Sequence, residues 1–127
     1  MSRTLDIFVD FAQEIEHLIK ELEFILALNL ELISDGTDNW YEFRNSTITI
    51  TVGKHDFEND RDIKFEEYPY NLSIRALNIS NELDRKKWRD DFASYVFQKL
   101  KATERYRLML VDDLQVKLEE FAPLVKV

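Results

Sequence analysis

Only two glycines, Gly36 and Gly53, occur in 127 residues, and that scarcity constrains the chain more than any other feature. Phosphate-binding loops, dinucleotide fingerprints and the strand–turn–helix nucleophile elbow all need glycine, because the backbone there adopts positive φ or lies against a ligand. With two isolated glycines, none of these can be written into the sequence. Cysteine is absent, which removes disulfides, thiolate nucleophiles and cysteine-bound metal sites. The chain reads as a domain that works by shape and surface potential and not by catalysis, with no cofactor and no metal.

The length suits a single domain spanning residues 1–127, and a hydrophobic content of 45% argues against disorder despite 33% charged residues. No apolar run approaches the roughly 20 residues of a membrane span. The first residues meet an acid at Asp6 and lack an export segment, so a cytoplasmic location is expected. The net charge is −8 and unevenly spread. Residues 1–35 hold eight acids and two bases, residues 36–80 eight and five, residues 81–127 nine and ten. The acidic N-terminal third sets a field that repels nucleic acid and membranes and attracts basic proteins.

Apolar spacing predicts a long amphipathic helix over 4–28. Phe8, Phe11, Ile15, Leu18, Leu22 and Ile25 form one column, and Leu5, Ala12, Ile19 and Leu26 a second. A helix of that length would extend roughly 38 Å, more than a small domain covers, which leaves homo-oligomerisation through it open. A turn at 34–39 follows, containing Asp35-Gly36. Strands are expected at 40–43 and at 47–52, where Ile48, Ile50 and Val52 alternate with threonines. A short strand at Ile63 and Phe65 and another from Tyr70 to Ala76, with Asn71, Ser73 and Arg75 facing outward, would complete the sheet. Ser80 reads as the N-cap of a helix over about 82–102 that buries Trp88, Phe92, Tyr95, Val96 and Leu100. Residues 104–121 fit either a helix or a hairpin. A two-residue turn at Asp112-Asp113 would set Val111 opposite Leu114 and lacks Gly or Asn, so helix is preferred. The predicted fold is α+β: a long N-terminal helix packed on an antiparallel sheet of three or four strands, then one or two C-terminal helices.

The acidic run from Asp56 to Glu67 resembles an EF-hand calcium loop over those twelve residues, with acids at positions 1, 3, 5, 7 and 12. It departs at position 6, where Arg61 replaces glycine, and the strand-like 48–52 stands where a helix should enter. A solvated loop is the preferred reading. His17 and His55 are the available histidines, and neither has a second histidine at metal-binding spacing. The adjacent acid pairs Glu66-Glu67, Asp90-Asp91, Asp112-Asp113 and Glu119-Glu120 point in different directions on any regular element. Arg85, Lys86, Lys87, Arg89, Lys99, Lys101, Arg105 and Arg107 form a basic segment with no interleaved stacking set.

The expected function is therefore non-catalytic binding of a protein partner, adaptor-, inhibitor- or immunity-like in build, through an acidic and aromatic surface. The partner is expected to be basic. The expected contact residues are Trp40, Tyr41, Asp56, Glu58, Asp60 and Asp62. The alternatives are nucleic-acid binding by 85–107, and a metal-dependent hydrolase or calcium binder built on 56–67.

Overall fold

Seven strands and two helices make up the chain in the computed structural model, which describes residues 4–124. In chain order they are β1 (Leu5–Asp10), α1 (Ile15–Leu26), β2 (Glu31–Ser34), β3 (Asn39–Arg44), β4 (Ile48–Lys54), β5 (Tyr70–Ala76), α2 (Glu82–Ala102), β6 (Arg107–Asp112) and β7 (Val116–Phe121). The strands form one sheet in the order β2-β3-β4-β5-β1-β6-β7, and every neighbouring pair is antiparallel. The sheet has seven strands and not three or four, and the helix at 4–28 does not exist as one element.

The N-terminal correction has a local cause. Leu5-Asp6-Ile7-Phe8-Val9 is a short apolar run containing β-branched residues, buried at all five positions. It lies at the middle of the sheet between β5 and β6 and is covered on both faces, so the alternation that marks a half-wet strand is missing. Its residues also fall on the same helical columns as α1, which hides the break at 11–14. α1 is thus 12 residues long, and its length offers no overhang for self-association.

The second correction concerns 104–121, which is a hairpin. Asp112 faces Val116, and a bulge between Leu110 and Val111 shifts the register. That shift removes the Val111–Leu114 clash of pattern that argued for helix. The turn places Asp113 and Leu114 at φ of 54° and 58°, the left-handed pair of a type I′ turn, made here without Gly or Asn.

One face of the sheet carries the main core. Leu5, Ile7 and Val9 join Ile48, Ile50, Val52, Leu72, Ile74 and Leu108 beneath α1 and α2. α2 packs on β5, β1 and β6, and α1 on β4 and α2. The N-cap of α2 is Asn81, one residue after the expected Ser80, and its side chain accepts from the Leu83 and Asp84 amides at 2.9 and 3.1 Å. The buried residues of α2 are Arg89, Ala93, Val96, Phe97 and Leu100. Trp88 and Tyr95, expected in the core, are 52% and 48% exposed.

A second, smaller core sits on the opposite face. Phe8, Met109 and Val111 point there and are covered by Ile63, Phe65 and Tyr68 of the connection between β4 and β5. The strand expected at 63–65 is instead a tight turn, with Asp60 and Ile63 exchanging backbone hydrogen bonds of 3.0 and 2.8 Å, followed by a short 3₁₀ turn at Phe65–Glu67.

Scarce glycine does not mean that left-handed backbone is scarce. Ala27, Arg61, Asn78, Glu104, Asp113 and Leu114 all have φ between 54° and 58°. Ala27 ends α1 with φ 54° and ψ 48° and is exposed, so a glycine there loses no packing. Ala27→Gly should raise stability by about 0.5–1 kcal/mol, since the Cβ strain of a left-handed alanine exceeds the added unfolded-state freedom. A higher urea midpoint at unchanged m-value would be the sign of it.

Candidate functional site

The connection 55–69 covers only the β1–β6 half of the second face, leaving the same face of β3, β4 and β5 open. Cross-strand pairing lays out two rows there. Gly53 faces Asn71, and Asn71 faces Phe8. Thr51 pairs with both Glu42 and Ser73, and Ser73 with Asp6. Trp40 extends the first row beside Gly53, where a Cβ built on the glycine would lie 3.6 Å from the Trp40 Cβ. Because Gly53 has no side chain, the floor beside the indole is left low. The result is a concavity of about 480 Å³ lined by Trp40, Thr51, Gly53, Asn71 and Ser73, with Asp38, Asn39, Lys54, His55 and Asp56 around it.

Asp6 lies under the edge of this surface, 2% exposed. It accepts hydrogen bonds from the Thr4 hydroxyl at 2.7 Å and the Asn71 amide at 2.9 Å. Burial pushes its carboxyl above the ordinary value of 3.8, and hydrogen bonds from Thr4, Asn71 and Ser73 only partly offset that. A pKa higher in the folded chain than in the unfolded one means that the native state holds the proton more firmly. The stabilisation is complete below about 3.8 and is lost as pH rises through the native pKa. Asp6→Asn keeps an acceptor for Asn71 and can donate to the Thr4 oxygen. This variant should be more stable than the wild type at pH 8, with the difference shrinking to nothing near pH 3.5, as read from urea midpoints across that range.

His55 is committed to structure. Its Nε2–H donates to the Tyr68 carbonyl, and its Nδ1 accepts from the Phe57 amide at 3.0 Å. The ring stands edge-on to Phe8 and stacks on Phe57. With both nitrogens engaged, it ties the two ends of the 55–69 connection together, its ring resting on Phe8 of the sheet, and has no lone pair or proton turned to the concavity. His17 is exposed on α1.

The structure separates the six residues expected to make contacts. Trp40 and Asp56 line the concavity together. Asp56 and Glu58 line an adjoining one of about 350 Å³, with His55, Phe57 and Glu66. Tyr41 turns to the other side of β3 and packs against the main core. Asp60 and Asp62 sit on the exposed turn at 60–63, away from both concavities. Three contributors were not among the contact residues expected from the sequence: Gly53, Asp38 and Asp6. Asp6 falls within the helix expected over 4–28 but outside both of its apolar columns, although an acid set between Leu5 and Ile7-Phe8-Val9 could have signalled a buried carboxyl.

In the two alternative regions, part of the charge is engaged within the fold. Glu66 accepts from the Asn59 amide at 3.0 Å, and Glu67 pairs with Arg107. Among the described residues, no group of three or more acids or histidines is placed to hold a metal ion. In the basic segment, Lys86, Lys87, Arg89, Lys101, Arg105 and Arg107 pair with Asp90, Asp91, Asp90, Glu119, Glu21 and Glu67 in turn. Arg85 donates to the Ile79 carbonyl at 2.9 Å, and Lys99 lies over the Tyr95 ring. The exposed pairs among these contribute little to stability, but all of them offset the local field that phosphate binding would use. Among the described residues, no helix is long and apolar enough to cross a membrane.

The chain matches no known family, no curated protein and no solved structure at a significant level.

Proposed function

We propose that this chain is a non-catalytic binding domain that receives a basic segment of a protein partner on the open face of β3, β4 and β5. The observation that carries this reading is Trp40 set beside a side-chain-free floor at Gly53, with Asp38 and Asp56 lining the same concavity. An indole beside a low floor gives a partner side chain a flat apolar wall, and the carboxylates favour a cationic one. The net charge of −8 would steer a basic partner toward it. The full engagement of His55 and the pairing of the basic segment support binding over proton-transfer chemistry or phosphate contact.

The test is quantitative capture from native lysate by immobilised chain variants. A partner retained by the wild type should be lost from Trp40→Ala, with affinity falling about 30-fold or more, as for a buried aromatic anchor. Gly53→Thr, which fills the floor without removing any group, should abolish capture as well. Phe24→Ala, on the exposed side of α1, should leave it unchanged. Undiminished capture by Gly53→Thr would reject the surface.

A further inference from the structure

The sheet ends at β2 and at β7, and the two edges are built differently. The pairing of β7 with β6 is interrupted by a bulge beside Val111, and Lys117 lies within β7. Both devices discourage the addition of another strand. β2 pairs with β3 in unbroken register from Glu31 opposite Glu42 to Ser34 opposite Asn39, and it contains no lysine or proline. Among the described residues, β3 is its only strand neighbour. The direction of its outer main-chain groups follows from the turn. The Asp35 N–H donates to the Asp38 carbonyl at 3.2 Å. The alternation of an antiparallel ladder then turns Ile33 and Glu31 toward β3, and Leu32 and Ser34 away from it. Leu30 also turns outward, and its N–H is taken by Glu23 Oε2 at 2.8 Å. The N–H and C=O groups of Leu32 and Ser34 thus form a short template for a further strand.

Charge decides which strand fits. Residues 21–43 hold six acids, Glu21, Glu23, Glu31, Asp35, Asp38 and Glu42, and no lysine or arginine. Glu31 and Glu42 stand directly opposite each other, an unfavourable arrangement for like charges. Arg44 Nε lies 3.4 Å from Glu42, and a cation opposite Glu31 would relieve the pair from the other side. A second copy paired on this edge would bring another six acids to the junction, whereas a basic segment neutralises it. The apolar positions add a second constraint. Leu32 ends the row Val52–Tyr41–Leu32 on the main-core face and is 58% exposed. Ile33 lies opposite Trp40 on the open face.

We propose that β2 accepts an extended segment of a protein partner as an added antiparallel strand, with apolar side chains opposite Leu32 and Ile33 and a lysine or arginine opposite Glu31. Main-chain hydrogen bonds to Leu32 and Ser34 hold the segment, and the acidic hairpin selects its charge. This contact lies at the sheet edge and does not depend on the concavity at Trp40 and Gly53.

The probe is the capped peptide Lys-Thr-Val-Ile-Lys, written to lie antiparallel from Asp35 to Glu31. Titrated into the isotope-labelled chain to about 1 mM and followed by NMR, it should shift the Leu32 and Ser34 amides saturably and slow their exchange. The same peptide N-methylated at isoleucine lacks the N–H aimed at the Leu32 carbonyl and should bind about tenfold more weakly. N-methylation at valine, whose N–H faces away from β2, should be tolerated. The peptide Glu-Thr-Val-Ile-Glu should not bind in that range. On the protein side, Leu32→Pro removes an outward N–H and spares the bonds to β3. It should weaken binding about tenfold, with circular dichroism checking that the variant folds. Absent shifts at 31–34 would overturn the proposal, as would equal binding of the glutamate peptide. So would equal effects of methylation at isoleucine and at valine. Gly53→Thr, which blocks the sheet face, should bind the peptide normally, so failure here and failure of the sheet-face reading are told apart.

Discussion

Phe8→Ala should destabilise the chain by about 4 kcal/mol, within the range for deleting a fully buried phenylalanine. That is a large part of the 5–15 kcal/mol expected for a domain of this size. Phe8 is fully buried on β1, and its ring packs at centroid distances of 5.0 Å against both His55 and Phe65 and 6.2 Å against Phe57. It is the central post on which the 55–69 connection rests, with Met109 and Val111 completing the apolar contact and Arg107 holding Glu67 and the Tyr68 ring from β6. The cavity left by alanine should also free the connection locally. Hydrogen exchange across 56–68 should rise by more than the global loss of stability explains, while α1 and α2 follow the global change. A cost below 1 kcal/mol, with protection at 56–68 unaltered, would mean that the second core does not exist as described.

Arg89→Ala is the second large effect, about 2 kcal/mol, in the range for losing the hydrogen bonds of a charged group together with its packing. The guanidinium is 4% exposed. Its Nε and Nη2 both donate to Asp90 Oδ1 at 3.0 and 2.9 Å, and Nη2 lies 3.6 Å from Asp112 at the end of β6. The residue thus fixes α2 to the sheet at the β6–β7 turn. Burial would raise the Asp90 carboxyl, but hydrogen bonds from Lys86 and Arg89 outweigh it and hold the group below the ordinary 3.8. A depressed native pKa contributes stability above the unfolded value and loses it as pH falls through the native one. The penalty of Arg89→Ala should accordingly be largest near pH 7 and shrink toward pH 3. Urea midpoints for the two proteins at both pH values give the comparison. A penalty independent of pH would show that the arginine acts through its volume alone.

Much of the middle of the chain was legible because its strands have one wet side. The alternation of Ile48, Ile50 and Val52 with threonines, and of Tyr70, Leu72, Ile74 and Ala76 with polar residues, placed β4 and β5 to within a residue or two. Both facts follow from the open face that also forms the candidate site. β1 was hidden by the opposite circumstance. Covered on both sides, it shows no alternation, and Leu5 and Phe8 fall by coincidence on the columns of α1. In α2 the apolar residues are spread around the helix, so bulk misled: Trp88 and Tyr95 drew attention, while the buried line runs through Arg89, Ala93, Val96, Phe97 and Leu100. The β6–β7 hairpin escaped because its turn uses Asp113 and Leu114 where glycine or asparagine is usual, and because one bulge displaced the register.

The site was half legible for a related reason. Trp40 and Asp56 could be named from residue type, but Tyr41 could not be assigned to a face before the pairing of Tyr41 with Val52 was known. Gly53 matters here for the side chain it lacks, its backbone being in an ordinary conformation. No local pattern announces an absent side chain next to a tryptophan on the preceding strand.

Hydroxyl-radical footprinting of the chain, free and bound to its captured partner at low micromolar concentration, addresses the working surface directly, because the two tryptophans report on opposite faces. The account predicts that Trp40 is protected in the complex while Trp88 keeps the reactivity it has in the free chain. Protection of Trp88 with Trp40 still fully reactive would contradict it.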